Sequence, residues 1–243
     1  MNLNFAEGQV ILIDKPRTWT SFDIVKKIRY AIKTKKIGHA GTLDPLATGL
    51  MILCTGKFTK KIDEYQGQEK TYTGKMVLGQ LTPSLDLETD VSKEMPWEHV
   101  TAEAISEKVK ELTGDISQVP PIYSALKIDG KRLYKMARKG KTEVEVEIKP
   151  RDVTVHEFTI TDISLPELSF KIRCSKGTYI RSLVRDLGEK LGTVATMTAL
   201  RRTQIGNFSL DDALEPLAFI ELVKQAEAAY ALANPSTEEE HQG

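Results

Sequence analysis

The stretch GHAGTLDPLATG, residues 38–49, stands between a basic segment of helical pattern and an apolar run of strand pattern. Its three glycines and its Asp-Pro pair predict a loop with tight backbone turns. It is not a phosphate-binding P-loop, because no Gly-Lys-Ser/Thr ends it. On this local pattern alone, Asp44 is more typical of a turn than of a catalytic group, and His39 can equally be structural.

The elements before the loop are a strand and a helix. Residues 8–14 predict a buried strand that stops at Lys15-Pro16, because proline cannot donate to a strand ladder. Thr20 or Ser21 then caps a helix. Its buried stripe is predicted to contain Phe22, Val25, Ile28, Tyr30 and Ile32.

The elements after the loop predict a sheet with helices packed on it. Residues 49–56 indicate a second buried strand. A third strand over 69–79 alternates, with Tyr72, Gly74, Met76 and Leu78 on one face. Further on, the pattern predicts a loop over 82–97 and two or three strands over 151–174. It also predicts a helix capped by Thr101, a helix that begins at Thr178 and another from about Leu217. Strands and helices do not alternate regularly as they do in βαβ units. This order of elements therefore favours an α+β fold with a mixed, mainly antiparallel sheet and flanking helices.

The composition excludes several classes of protein. The chain has 243 residues, 40% of them hydrophobic, and 34 basic residues balance 34 acidic ones, so no global charge points to an anionic partner. No signal peptide or bilayer-spanning apolar run is present, which predicts a soluble protein that is not exported. Cys54 and Cys174 lie in apolar stretches outside any CxxC pattern or His cluster. We expect free thiols in a cytoplasmic protein and no metal site.

The even total hides an uneven distribution of charge. Residues 127–141 carry seven basic side chains and one acid, Asp129, and the first 36 residues carry eight basic side chains against three acids. From residue 210 onward, eight acids face the single base Lys224. A charge run is usually a solvated face, but Tyr123 and Tyr134 near the basic run also suit a nucleic acid, on which aromatic rings can stack.

Several motifs together resemble the TruB family of tRNA pseudouridine synthases. The loop at 38–49 matches the family pattern GHxGxLDPxAxG around its catalytic aspartate. Further matches follow in the family's order between about residues 8 and 223. They are Ile13-Asp14-Lys15-Pro16 with Thr20-Ser21, Lys70-Thr71-Tyr72, Tyr123-Ser124-Ala125-Leu126-Lys127, Cys174-Ser175-Lys176-Gly177-Thr178-Tyr179-Ile180-Arg181 and Leu200-Arg201-Arg202-Thr203.

The resemblance implies a set of catalytic residues. It makes Asp44 the catalytic carboxylate, although the sequence leaves open whether it attacks C6 or C1′ or removes a sugar proton. Arg181 is the implied guanidinium partner that keeps this carboxylate ionised; its alternative is a helix-surface arginine. Tyr72 is implied to stack on the target base, and its alternative is a core tyrosine. The isomerisation requires no cofactor, since it involves no redox change and no external donor.

The resemblance also implies substrate-binding residues. His39 is implied to help displace the target nucleotide from its stack, and Leu200 to line the pocket, where it is hardly distinguishable from core. For Lys15 a structural role is favoured, with a supporting contact to the catalytic loop. The basic run, including Lys127, Lys131 and Arg132, is implied to belong to an RNA-gripping insertion at about 120–148, whose cations neutralise phosphates.

The resemblance further implies the substrate, the partners and the domain organisation. The family's substrate is a uridine in the T loop of tRNA, which predicts tRNA as partner, with no membrane, no obligate protein partner and a monomeric state. Residues 1–230 are predicted to form one catalytic domain, followed by an acidic, flexible tail over 231–243. We expect no PUA-type RNA-binding domain, although common bacterial members carry one.

Three other functions compete with this interpretation. A non-catalytic tRNA-binding or folding module would not need Asp44, Tyr72 and Arg181 together. A guide-RNA-dependent pseudouridine synthase shares the motifs but normally keeps the PUA domain. An enzyme acting on free nucleotides would have no use for the basic insertion.

Overall fold

The computed structural model describes residues 4–128, 130–141 and 145–234. The helices are α1 (Ser21–Ala31), α2 (Ile62–Gly67), α3 (Ala102–Glu111), α4 (Leu133–Ala137), α5 (Ile180–Lys190) and α6 (Pro216–Ala233). The strands are β1 (Val10–Lys15), β2 (Ile37–His39), β3 (Thr48–Thr55), β4 (Lys70–Leu78), β5 (Gln80–Leu81), β6 (Lys93–Glu94), β7 (Gly114–Gln118), β8 (Lys127–Ile128), β9 (Lys131–Arg132), β10 (Arg151–Ser164), β11 (Glu167–Cys174), β12 (Ala195–Ile205) and β13 (Phe208–Ser209).

The fold is α+β with mainly antiparallel strand pairing, which confirms the predicted class. By internal contacts the chain divides into two compact units. The first unit comprises residues 1–66 and 208–243, and the second comprises residues 67–207. The boundary of a single catalytic domain at residue 230 stays a prediction.

The first unit is built around β3, of which only Thr48 is not buried. Strand β1 pairs with β3 antiparallel, from Val10 opposite Cys54 to Lys15 opposite Gly49, and β2 pairs with β3 as well. Helices α1 and α6 pack against each other. The apolar run of residues 49–56 therefore becomes a buried strand, as predicted.

The predicted apolar stripe of α1 is wrong at its two aromatic positions. The helix begins after Thr20, whose side chain accepts from the Asp23 N–H in a capping box. It buries Ser21, Ile24 and Ile28, whereas Phe22 and Tyr30 are each 68% exposed. Spacings of three and four residues place the two isoleucines with Ser21 on one face, and the aromatic side chains project from other faces of the helix.

The second unit is an antiparallel sheet in the order β12-β4-β11-β10-β7. As predicted, Tyr72, Met76 and Leu78 share one buried face of β4. Between them, Gly74 leaves room for the Phe170 ring of the neighbouring strand, because a Cβ on Gly74 would lie 2.4 Å from that ring. The face of β4 that carries Tyr72 is therefore closely packed.

Helix α5 begins at Ile180, two residues later than the sequence predicted. Thr178 does not cap the helix; its hydroxyl donates to the Ser175 carbonyl. The cap residue is Tyr179, which has no capping side chain. Instead, the Tyr179 N–H donates to Gln118 Oε1 at 2.8 Å, and the Tyr179 carbonyl accepts from Gln118 Nε2 at 3.1 Å. A contact distant in sequence thus determines where this helix starts.

The basic insertion has a small hydrophobic core of its own. Ile122, Leu133, Ala137 and Val146 are buried together, and Tyr123 is among the side chains packed on them. Strands β8 and β9 form a hairpin in which Lys127 lies opposite Arg132. Residue 129 and residues 142–144 of the predicted insertion lie outside the described residues.

Three further predictions concern the tail, the thiols and the membrane. Helix α6 continues to Ala233, so residues 231–233 are helical, and the rest of the predicted acidic tail from residue 235 lies outside the described residues. Both cysteines are free and buried, as predicted. Among the helices that the structure describes, none is long and apolar enough to cross a membrane.

Candidate active site

Hydrogen bonds hold the backbone on both sides of Asp44. Ser21 Oγ donates to the Leu43 carbonyl at 3.1 Å and accepts from the Leu43 N–H at 2.9 Å. The Ala47 N–H donates to the Asp44 carbonyl, and Leu43 and Ala47 are both buried. Asp44 itself is half-buried. Its carboxylate therefore stands on a loop whose backbone is fixed from both sides.

Lys15 is a fully buried cation that ties the end of β1 to this loop. Its ammonium donates to the carbonyls of Trp19 at 2.6 Å, Pro16 at 3.0 Å and Pro45 at 3.2 Å. The expected supporting contact to the Asp44 loop is thus present, and the geometry agrees with the structural role favoured for Lys15. Direct substrate binding by Lys15 stays a prediction.

His39 also belongs to the first unit. It is the last residue of β2, lies opposite Leu53 of β3 and is half-buried. The next residue, Ala40, donates its N–H to the Ile52 carbonyl, so the pairing with β3 continues into the start of the Asp44 loop. The histidine therefore stands at the point where the strand becomes the loop.

Arg181 is buried in the second unit, with only 3% of the residue exposed. Nη1 donates to the Ser84 carbonyl at 2.7 Å, Nη2 donates to the Tyr123 carbonyl at 2.9 Å, and Nε lies 3.7 Å from Asp86 Oδ2. The alternative of a helix-surface arginine is excluded by this burial. The guanidinium is oriented by several directional contacts.

Tyr72 and Leu200 lie on neighbouring strands of the second unit. Leu200 is opposite Gly74, and Arg202 is opposite Tyr72, so Leu200 and Tyr72 are diagonal neighbours on one face of the sheet. Both residues are less than 10% exposed. Their burial fits a core position as well as a pocket wall, so their roles stay predictions.

The basic side chains of the hairpin face solvent. Lys127, Lys131 and Arg132 are exposed. Further along, Arg138 forms an ion pair with Glu88 at 2.6 Å, which connects the insertion to the loop after β5. Phosphate binding by the insertion remains a prediction.

Asp86 was not among the predicted site residues, because the pattern of residues 82–97 indicated only a loop. Asp86 is 3% exposed, and its backbone carbonyl accepts from Thr82 Oγ1 at 2.6 Å and Ser84 Oγ at 3.1 Å. The cluster of hydroxyl residues around this acid was the available signal, since such side chains often bind nearby backbone groups and fix a loop.

Lys70, at the start of β4, is a cation whose pKa is shifted by its surroundings. Burial, together with repulsion from the nearby Arg202 as a smaller cause, lowers the pKa of Lys70 to about 8 from its usual 10.5. Between pH 8 and 10.5, the unfolded chain therefore binds more protons than the native protein. The stability that this group contributes is present above pH 10.5 and is lost as pH falls to about 8.

This shift makes a testable prediction for Lys70→Met. We expect the variant to gain free energy of unfolding relative to the wild type near neutral pH, and to lose this gain as pH rises from about 8 to 10.5. Urea unfolding at pH 7, 8, 9 and 10 measures the difference. A difference independent of pH would show that the native Lys70 has an ordinary pKa.

Comparisons with known proteins agree with this architecture. A family model described as "TruB family pseudouridylate synthase (N terminal domain)" matches residues 29–180, and "tRNA pseudouridylate synthase B C-terminal domain" matches residues 181–234. The class defined by these matches is the pseudouridylate synthases, which are isomerases. The chain belongs to the TruB family.

Curated relatives match along almost their whole length. A protein of Flavobacterium johnsoniae named tRNA pseudouridine synthase B is 52% identical over 224 residues, which are 89% of this chain and 96% of the relative. A protein of Phocaeicola vulgatus with the same name is 47% identical, with 93% of this chain and 97% of the relative covered.

A solved structure shares the fold. A chain in the crystal structure of a Cbf5-Nop10-Gar1 complex superposes with a TM-score of 0.74 at 26% identity. The match covers 95% of this chain and 59% of the other.

The described residues contain no group of three or more His, Cys, Asp or Glu side chains that could hold a metal ion.

Proposed function

We propose that this protein isomerises a uridine in the T loop of tRNA to pseudouridine, with Asp44 as the catalytic carboxylate. The observation that carries the proposal is the GHAGTLDPLATG loop, within a chain whose family matches extend from residue 29 to 234. The relatives' name, tRNA pseudouridine synthase B, supports tRNA as the substrate.

The chemistry breaks the N1–C1′ glycosidic bond, turns the uracil and forms a C5–C1′ bond. Asp44 acts as nucleophile or base, since a carboxylate can do either. The target nucleotide leaves its stack, with His39 taking part in its displacement, and enters a pocket lined by Leu200. Tyr72 stacks on its base. Arg181 supplies the positive charge that keeps a carboxylate ionised in a site that excludes water.

The proposed enzyme works in the cytoplasm as a monomer and needs no protein partner. This chain matches 96–97% of the length of bacterial relatives named tRNA pseudouridine synthase B, which supports an activity like theirs. The similarity to Cbf5 makes a guide-RNA-dependent enzyme the second candidate. This match is weaker in sequence and covers only 59% of the other chain.

Two measurements test the proposed function directly. Pseudouridine is mapped in total RNA from cells with and without the gene, and the purified protein is assayed for tritium release from 5-tritiated uridine in a T-arm hairpin. We expect loss of one T-loop pseudouridine in the cells and turnover by the protein alone. A protein that binds the hairpin without releasing tritium would instead be a binding module.

The basic insertion leads to a prediction about the substrate. If recognition rests on the T arm, a minimal T-arm stem-loop should bind and react nearly as well as full-length tRNA. Replacing Lys131, Arg132 and Lys135 with Ala should weaken both substrates similarly and reduce the log–log salt slope by up to about three units.

Titrations of both RNAs at several salt concentrations measure these effects. The charge-matched control combines Lys108→Ala, Lys190→Ala and Lys171→Ala. It removes three cations of the second unit that already pair with acids. The prediction fails if full-length tRNA binds a hundred times tighter than the stem-loop, or if the triple variant of the insertion keeps the wild-type slope.

A further inference from the structure

Two aromatic residues and two lysines line an open recess on α1 that no role above explains. The recess has a volume of about 340 Å³ and is lined by Trp19, Lys26, Lys27 and Tyr30 together with Thr18 and Asp23. Its helical residues lie on the side of α1 opposite the buried face. This volume is at the lower end of the roughly 300–1,000 Å³ that small-ligand sites occupy.

The aromatic rings of the recess are accessible. Tyr30 is 68% exposed, and Trp19 is half-buried. The guanidinium carbon of Arg29 lies 5.7 Å from the centre of the Tyr30 ring. Large aromatic side chains next to cations on a surface are typical of sites at which nucleic-acid bases stack and phosphates bind.

The charges of the recess favour an anionic ligand. Lys26 and Lys27 form no ion pair with any residue that the structure describes. The one acid of the recess, Asp23, already accepts hydrogen bonds from the Thr20 N–H at 2.9 Å and the Thr20 hydroxyl at 2.6 Å in the capping box. Both donors are neutral, so Asp23 keeps its negative charge and also attracts Lys26. With two lysines against this one acid, the recess carries one net positive charge.

The turn that carries Trp19 is fastened to the Asp44 loop. The Thr18 N–H donates to the Pro45 carbonyl at 2.8 Å. The Lys15 ammonium donates to both the Trp19 and the Pro45 carbonyls, at 2.6 and 3.2 Å. A ligand bound against Trp19 therefore lies on a turn that is directly connected to the residue after Asp44.

We propose that this recess is a subsite for one unpaired nucleotide of the RNA substrate, with the base stacked on Trp19 and Tyr30 and a phosphate held by Lys26 and Lys27. The nucleotide is unpaired because only a base splayed out of its helix offers a free face for stacking. The subsite deepens the proposed function and rests on it. An acidic peptide is the competing ligand, but it would leave the stacking surfaces of the two rings unused.

The test separates binding from chemistry. With the T-arm stem-loop as substrate, we expect Trp19→Ala and Tyr30→Ala each to raise KM roughly tenfold, with kcat within about twofold of the wild type. Trp19→Phe and Tyr30→Phe should restore most of the affinity, because a ring is retained. Lys26→Ala with Lys27→Ala should reduce the log–log salt slope by about 1.4 units.

Tyr230→Ala is the matched control, since Tyr230 is 66% exposed but has no basic residue within one helical turn. It should leave KM unchanged. In a Trp97→Phe background, where Trp19 is the only tryptophan, the stem-loop should quench its fluorescence in a saturable manner.

The outcomes distinguish the subsite from the proposed function. An inactive wild-type protein would overturn the proposed function and the subsite that rests on it. An active wild type with unchanged KM in both alanine variants would overturn the subsite alone. Quenching of Trp19 by a polyglutamate peptide but not by the stem-loop would also overturn the subsite and indicate a protein ligand.

Discussion

Replacing Asp44 with Asn is expected to lower turnover at least a hundredfold while RNA affinity stays within a few-fold of the wild type. The substitution is nearly isosteric and removes only the charge and the nucleophilic oxygen of the carboxylate. The loop should survive it, because the bonds of Ser21 to Leu43 and of the Ala47 N–H to the Asp44 carbonyl do not involve the substituted side chain. Groups that act in acid–base catalysis contribute about 10²-fold or more.

Tritium release from 5-tritiated uridine in a T-arm hairpin measures the rate, and filter binding measures the affinity. Asp63→Asn is the matched control, since Asp63 is an exposed aspartate in the first turn of α2, within the same unit. Activity of Asp44→Asn above about a tenth of the wild type would remove Asp44 from its proposed role.

Arg181→Lys is the second substitution with a large expected effect. The guanidinium makes contacts in three directions, to the Ser84 and Tyr123 carbonyls and towards the Asp86 carboxylate. One lysine ammonium cannot reach all of these positions with the same geometry. We expect the single-turnover rate to fall by about a hundredfold, because the cation is displaced and its planar shape is lost.

Arg185→Lys is the control, because Arg185 lies one turn further along α5 and also donates to a backbone carbonyl, that of Val119. It should keep the single-turnover rate within a few-fold of the wild type. Circular dichroism and thermal unfolding establish whether each variant is folded. Wild-type single-turnover kinetics in a folded Arg181→Lys protein would contradict a catalytic role for this arginine.

Local pattern predicted the elements whose periodicity is simple. The strands at 48–55 and 70–78, the Thr101-capped helix and the α+β class follow from continuous apolar runs, alternation and capping chemistry, which act between residues close in sequence. The start of α5 could not be predicted in this way, because it depends on the side chain of Gln118, 61 residues earlier.

The sequence by itself determined the family, the Asp44 loop and the list of candidate residues, since these depend on residue types at fixed spacing. Only the tertiary structure decided that Lys15 is buried against three carbonyls and that Arg181 is held between Ser84 and Tyr123. The tertiary structure also leaves Tyr30 exposed to solvent, although the sequence pattern had placed it in the buried stripe of its helix. The physical reason is that burial and hydrogen-bond partners depend on which distant segments fold against a side chain, and no local pattern records that.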